Sequence, residues 1–261
     1  MVRLSSNRGA LCYTASHFRL RDASVWPVVP TRDEDKPAMN DIRTFHARKG
    51  RVSDAERDGI DRLLPVFGAP EGQLDPKSAF SGLPVIFEIG FGLGDATIEM
   101  AQAEPTRGII AADVHTPGVG RLLNRIEELG LTNVRVLHGD AIDYLRTVIP
   151  DGSLNEIRAY FPDPWPKARH HKRRLFRPDL VRLLTTKCEP GGHIHVATDW
   201  QDYANVMREV CAAETDLILI EDSATALRNR PTTKFEATGL RKGHTVTDLV
   251  YQRREIVSQV P

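Results

Sequence analysis

Cysteine is scarce in this chain: Cys12, Cys188 and Cys211 are the whole complement in 261 residues, and no two are spaced as C-x-x-C. An odd count without that spacing excludes a disulfide framework and a zinc ribbon, and fits a reducing compartment. Long apolar runs are also missing. No stretch approaches the roughly 18–20 residues that cross a bilayer, and the first thirty residues hold no apolar core of a secretory signal. A soluble, cytoplasmic protein with no membrane partner is expected. Net charge is absent too, with 35 basic and 35 acidic residues, so only a local cluster of one sign can point to a polyanion. The sequence has neither G-x-S-x-G nor a Walker lysine, and His170, His171, His193 and His195 lack metal-ligand spacing. No metal is expected, and the alternating pair His193 and His195 reads as strand surface.

What is present is an ordinary globular composition, 41% hydrophobic and 27% charged, which excludes disorder of the whole chain. Residues 1–40 lack apolar periodicity, end in VPTRDEDKPAMN, and read as a mobile tail. Residues 41–83 form a basic segment (Arg43, Arg48, Lys49, Arg51), a short helix and a linker. Ser53-Asp-Ala-Glu56 has the form of a capping box, and Ala55, Ile60, Leu63 and Leu64 follow at helical spacing. Residues 65–83, rich in Pro and Gly, lead into the main domain, 84–261.

In that domain β-branched runs at 84–89, 108–113, 133–138, 156–161 and 193–198 alternate with helical patterns. Such alternation predicts a doubly wound α/β fold with a mostly parallel sheet. Runs at 217–221 and 247–253 add two closing strands, for seven in all.

Ligands of open α/β sheets sit outside the carboxyl ends of the strands. After the first run stands Glu88-Ile-Gly90-Phe-Gly92-Leu-Gly94, and the dinucleotide fingerprint G-x-G-x-x-G fails at Asp95. An acid two residues before G-x-G-x-G suits S-adenosylmethionine, whose ammonium a carboxylate can bind. Asp113 ends the second run, where an acid serves the ribose of NAD and of S-adenosylmethionine alike. Asp140 follows the third, where an adenine edge would lie.

The fourth run enters Phe161-Pro-Asp163-Pro-Trp165-Pro-Lys167. Its three prolines stiffen the loop, as a base pocket with an aromatic face (Trp165) and a carboxylate (Asp163) requires. Residues 167–177 then hold Lys167, Arg169, Lys172, Arg173, Arg174 and Arg177 without an acid, an electrostatic footprint for phosphates. Asp199 follows the fifth run, and Arg230–Glu236 mixes charge, hydroxyl and aromatic groups as a loop closing over the site does.

Together these residues resemble the bacterial tRNA (guanine-N7)-methyltransferase family from about Ile42 to Arg253. The segments that carry the likeness are IRTFHARKGR (42–51), EIGFGLG (88–94), DVHTPGVG (113–120), FPDPWPKARHHKRR (161–174), ATDW (197–200) and TKFE with GH (233–236, 243–244). The resemblance implies a class I S-adenosylmethionine-dependent methyltransferase domain. It implies transfer of the methyl group to N7 of a guanosine in the variable loop of tRNA, by a monomer or homodimer. It places Glu88, Gly90, Gly92, Gly94, Asp113, Asp140 and Asp163 at the cofactor, with Asp163 nearest the reaction. Lys167, Asp199, Thr233, Lys234, Phe235 and Glu236 are implied as contacts to the target nucleoside. Two positions depart from the family: Asp113 stands where Glu is usual, and Thr238 where a basic residue precedes Gly239. Arg241 and Lys242 are near enough in sequence to supply the missing charge. An adenine-N6 methyltransferase, which also carries a Pro-rich loop after its fourth strand, more often has [DN]-P-P-[YFW]. Here one proline flanks Asp163 on each side.

Overall fold

A computed structural model of the chain describes residues 42–45, 50–72, 75–221, 231, 236, 243 and 245–255. Helix α1 (Asp54–Phe67) begins at the expected box: the Glu56 N–H donates to Ser53 Oγ at 3.3 Å, and the Ser53 N–H donates to Glu56 Oε2 at 2.7 Å. It runs through Pro65 into the stretch expected to be linker, because Leu64 and Phe67 still pack against the core. A 3₁₀ turn at Pro76–Phe80 then buries Phe80 over Gly108.

The main domain alternates strictly: β1 (Val85–Ile89), α2 (Asp95–Ala103), β2 (Gly108–Asp113), α3 (Thr116–Leu129), β3 (Val134–His138), α4 (Ala141–Thr147), β4 (Leu154–Tyr160), α5 (Pro178–Lys187), β5 (Cys188–Thr198) and α6 (Gln201–Ala212). Two closing strands follow, β6 (Leu217–Glu221) and β7 (Thr247–Arg253). They make one seven-stranded sheet in the order β3-β2-β1-β4-β5-β7-β6. All pairs are parallel except those of β7, which lies antiparallel between β5 and β6. The expected closing pair is therefore present. Strand β5 begins at Cys188 rather than His193, since Cys188 pairs with Leu154 across a register shift and Gly191, at φ 78°, supplies the bend.

Alternation along each strand feeds two cores. Ile86, Ile109, Ala111, Val134 and Val136 pack under α1, α2 and α3. Phe87, Ile110, Ile157, Ile194 and Val196 pack under α4, α5 and α6. The strand order reverses between β1 and β4, so the carboxyl ends of β1–β5 open on one edge of the sheet around that switch point. Strand β6 ends, and β7 begins, at this same edge. No helix among the described residues is long and apolar enough to cross a membrane.

Candidate active site

At the switch point the glycine loop turns three times through the left-handed region, with φ of 81° at Gly90, 64° at Gly92 and 80° at Gly94. Residues with a Cβ resist that conformation, which explains the G-x-G-x-G spacing. Gly94 closes the loop as the residue preceding α2. Asp113 holds the loop from the next strand: its Oδ2 accepts the Gly92 N–H at 2.7 Å and its Oδ1 accepts the His115 N–H at 2.8 Å. Each carboxylate oxygen has a second lone pair, so the clamp leaves acceptors for a ligand. A Cβ at Gly118 would overlap the Gly92 carbonyl, whereas one at Gly90 would meet open space. The loop is thus packed tightly from α3 and open at Gly90.

Glu88 lies beneath this loop, 3% exposed, with Oε2 accepting the Thr97 hydroxyl at 2.8 Å. Burial pushes its carboxyl up to about 7; the Thr97 bond and the Arg158 charge oppose the rise, and the Asp113 charge adds to it. Arg158 sits opposite Glu88 on β4, but its guanidinium is engaged elsewhere. It donates to Glu156 Oε1 at 2.6 Å, Glu104 Oε1 at 2.8 Å and the Met100 sulfur at 3.0 Å. Arg107 bridges the same two carboxylates, Glu104 and Glu156, at 2.7 Å. Two arginines against two glutamates leave that buried cluster balanced, and Glu88 outside it as a carboxylate suited to a cation brought by a ligand.

Asp140 does double duty: its Oδ1 caps α4 by accepting the N–H groups of Ile142 (2.8 Å) and Asp143 (3.4 Å). Beside it opens a cleft lined by Arg43, Thr44, Ile142, Arg146 and Arg177. Arg43 of the N-terminal basic segment thereby joins the same rim; Arg48 and Lys49 lie outside the described residues.

The Pro-rich loop is strained. Phe161 and Trp165 adopt φ of 53° and 45°, each directly before a proline, a conformation that costs about 1–3 kcal/mol apiece. What holds it is visible. The Phe161 N–H donates to the Ala197 carbonyl at 2.7 Å, Arg174 Nε to the Pro164 carbonyl at 2.8 Å, and Trp165 Nε1 to the Thr44 carbonyl at 3.3 Å. Asp163 is half-buried at the centre.

Two expectations change here. Trp165 is 5% exposed, with the Arg173 guanidinium 5.1 Å above its ring and His170 against its edge. It anchors the loop and presents no open face for a base. The basic run is likewise divided. Arg174 is buried over the Tyr203 ring, and Arg177 pairs with Asp179 and donates to the Lys172 carbonyl. Lys167, Arg169 and Lys172 remain exposed, on the 3₁₀ turn Ala168–Arg173 and its start. The division falls at the end of the turn: none of its own residues is buried, and the chain directs Arg174 inward directly after it.

Asp199 follows β5 immediately beside the Asp163 loop, since Tyr160 pairs with Ala197. Glu236 is buried; Thr233, Lys234, Phe235 and Thr238 lie outside the described residues. His195, read as strand surface, is 6% exposed, packed between the Tyr160 ring of β4 and the Asp248 side chain of β7. Sequence reasoning also passed over Thr97, Thr44 and the Arg158 cluster, although charges at Glu156 and Arg158 inside an apolar strand were a signal. Among the described residues, no group of three or more His, Cys, Asp or Glu is placed to hold a metal ion.

The chain matches a family model described as "Putative methyltransferase" over residues 83–249. It is 47% identical over 223 residues to the tRNA (guanine-N(7)-)-methyltransferase of Nitrosospira multiformis, covering 82% of this chain and 95% of the relative. To the protein of the same name from Streptomyces avermitilis it is 47% identical over 218 residues, covering 81% and 75%. Among solved structures, the 16S rRNA methyltransferase KamB superposes with a TM-score of 0.52 at 17% identity, over 71% of this chain and 95% of that one. That last likeness concerns the fold alone.

Proposed function

This chain belongs to the tRNA (guanine-N7)-methyltransferase family, and we propose that it transfers a methyl group from S-adenosylmethionine to N7 of a guanosine in the variable loop of tRNA, in the cytoplasm. One observation carries the reading onto these residues: Glu88, Asp113, Asp140, Asp163 and Asp199 all stand at one edge of the sheet, around the switch point. The residues fit the cofactor. Glu88 is a buried carboxylate suited to an ammonium, Asp113 keeps lone pairs for ribose hydroxyls, Asp140 keeps Oδ2 for an adenine edge, and Gly90 faces open space.

When bound, S-adenosylmethionine supplies an electrophilic methyl group on a sulfonium. Guanine N7 carries a free lone pair, so the protein has no proton to remove before attack. Its work is alignment and electrostatics. The strained loop holds Asp163 where its negative charge stabilises the cation that develops on the purine. A carboxylate at Asp163 or Asp199 also accepts from guanine N1–H and N2–H, donors that adenine lacks in that arrangement. Lys167 and Thr233–Glu236 complete the contact with the nucleoside, and Arg169 and Lys172 meet the phosphates.

The test is a product assay with unmodified bulk tRNA and methyl-labelled S-adenosylmethionine, digested to nucleosides and resolved by mass spectrometry. Labelled 7-methylguanosine is expected. Another labelled nucleoside would overturn the pocket assignment, and no label despite cofactor binding would overturn the substrate.

A further inference from the structure

A hydrogen-bonded line of polar side chains crosses three strands just behind the two carboxylates on the target side. Tyr160 Oη lies 3.0 Å from His195 Nδ1, and His195 Nε2 lies 3.3 Å from Asp248 Oδ1. Tyr160 is 9% and His195 6% exposed, and their rings meet edge to face at 4.9 Å. An ionised Asp248 only accepts, so Nε2 carries the imidazole proton and Nδ1 accepts the Tyr160 O–H.

The place of this line in the sheet is specific. Tyr160, Ala197 and Asp248 are register partners on β4, β5 and β7, one rung before the strands reach the site. His195 spans the rung diagonally from the central strand. Immediately beyond it, β4 enters Phe161 at φ 53° and then Asp163, while β5 runs on to Asp199. Glu88, the glycine loop, Asp113 and Asp140 stand on or directly after other strands, β1, β2 and β3, and Asp163 alone of the implied cofactor set lies on this side.

Apolar side chains would fill this space without burying three polar groups. What a polar line adds is direction, since each bond fixes an angle as well as a distance. A loop strained at Phe161 keeps its shape only when its surroundings over-determine it. We propose that His195, bonded to Tyr160 and Asp248, is a positioning residue that sets Asp163 and Asp199 relative to each other for the target base. The inference rests on the proposed function, in which those two carboxylates face the guanine.

The test uses the full chain and three variants, Tyr160→Phe, His195→Leu and His195→Asn. Each is measured for steady-state methylation of unmodified tRNA and for S-adenosylhomocysteine affinity by calorimetry. Tyr160→Phe removes one oxygen and keeps the ring. It is expected to lower kcat by roughly 10- to 100-fold, as a small misplacement of a reacting partner does, with S-adenosylhomocysteine affinity within about twofold. His195→Leu should lose at least as much. His195→Asn, whose amide oxygen takes the place of Nδ1, should recover most of the kcat lost in His195→Leu. Unaltered kcat in Tyr160→Phe and His195→Leu overturns the positioning role, and so does a parallel loss of cofactor affinity. Wild-type activity in the same assay tests the proposed function separately: its absence overturns both readings, whereas an active wild type with unaltered variants overturns this one alone.

Discussion

Trp165 Nε1 donates to the backbone carbonyl of Thr44 at 3.3 Å, joining positions 121 residues apart. The bond ties the segment before α1 to the loop that presents Asp163. Arg173 above the indole and Arg174 on the Pro164 carbonyl fasten the same loop from its other side.

Trp165 therefore acts through packing and one hydrogen bond, and two substitutions separate these. Trp165→Phe keeps most of the buried ring and forfeits the bond, at a cost of about 1 kcal/mol. Trp165→Ala opens a cavity and releases the strained loop, at a cost of about 3–5 kcal/mol. Urea unfolding of both variants gives the two values. A Trp165→Ala chain as stable as wild type would refute the anchoring role.

Glu88 makes stability depend on pH with a defined sign. Its carboxyl, at about 7, stands above its ordinary 4.5 because it is buried, so the folded state holds this proton more tightly than the unfolded chain. The contribution is full below about 4.5 and is lost as pH rises through 7. Glu88→Gln removes that loss, and at pH 8 the variant should be more stable than wild type by roughly 3 kcal/mol. It should also bind S-adenosylhomocysteine at least tenfold more weakly, because the ammonium loses its carboxylate. Unfolding curves at pH 5 and pH 8, with calorimetry, measure both. Undiminished affinity in the variant would sink the assignment of Glu88 to the cofactor.

Asp163→Ala should cut turnover far more than tRNA affinity, since its charge matters most when the purine becomes cationic. A loss of 10²-fold or more in kcat is expected, in the range seen when one stabilising group is removed. Single-turnover rates alongside filter binding provide the check; equal losses in the two would argue against the role.

The divided basic run predicts two phenotypes from neighbouring residues. Lys172→Ala, at an exposed position, should weaken tRNA binding and lessen the slope of log K against log salt by about 1, with stability unchanged. Arg174→Ala removes a buried guanidinium that holds the Pro164 carbonyl and covers Tyr203. It should lower the melting temperature and distort the loop. Identical salt slopes for wild type and Lys172→Ala would remove Lys172 from the phosphate surface.

The strands were legible because a strand covered on both faces must be apolar throughout, as Val85–Phe87 and Gly108–Ala112 are. The glycine loop was legible for a similar reason, since few residues other than glycine adopt its φ values. Local chemistry also announced the capping box at Ser53. The extension of α1 through Pro65 was hidden, because it depends on Phe67 finding a core that other segments build.

From the sequence alone follow the doubly wound α/β class, the carboxylate at the end of each parallel strand, and the family to which the chain belongs. The fold class and the strand-end carboxylates rest on period, parity and backbone preference, which neighbours a few residues apart decide; the family rests on the likeness of motifs such as FPDPWPK (161–167) and TKFE (233–236). The inward turn of Trp165 and Arg174, the capping bond of Asp140, the burial of His195 and the absence of a hydrogen bond from Arg158 to Glu88 were decided only by the tertiary structure. A side chain's contribution depends on what shields it from water and what partners it meets, and those groups come from elements far apart along the chain.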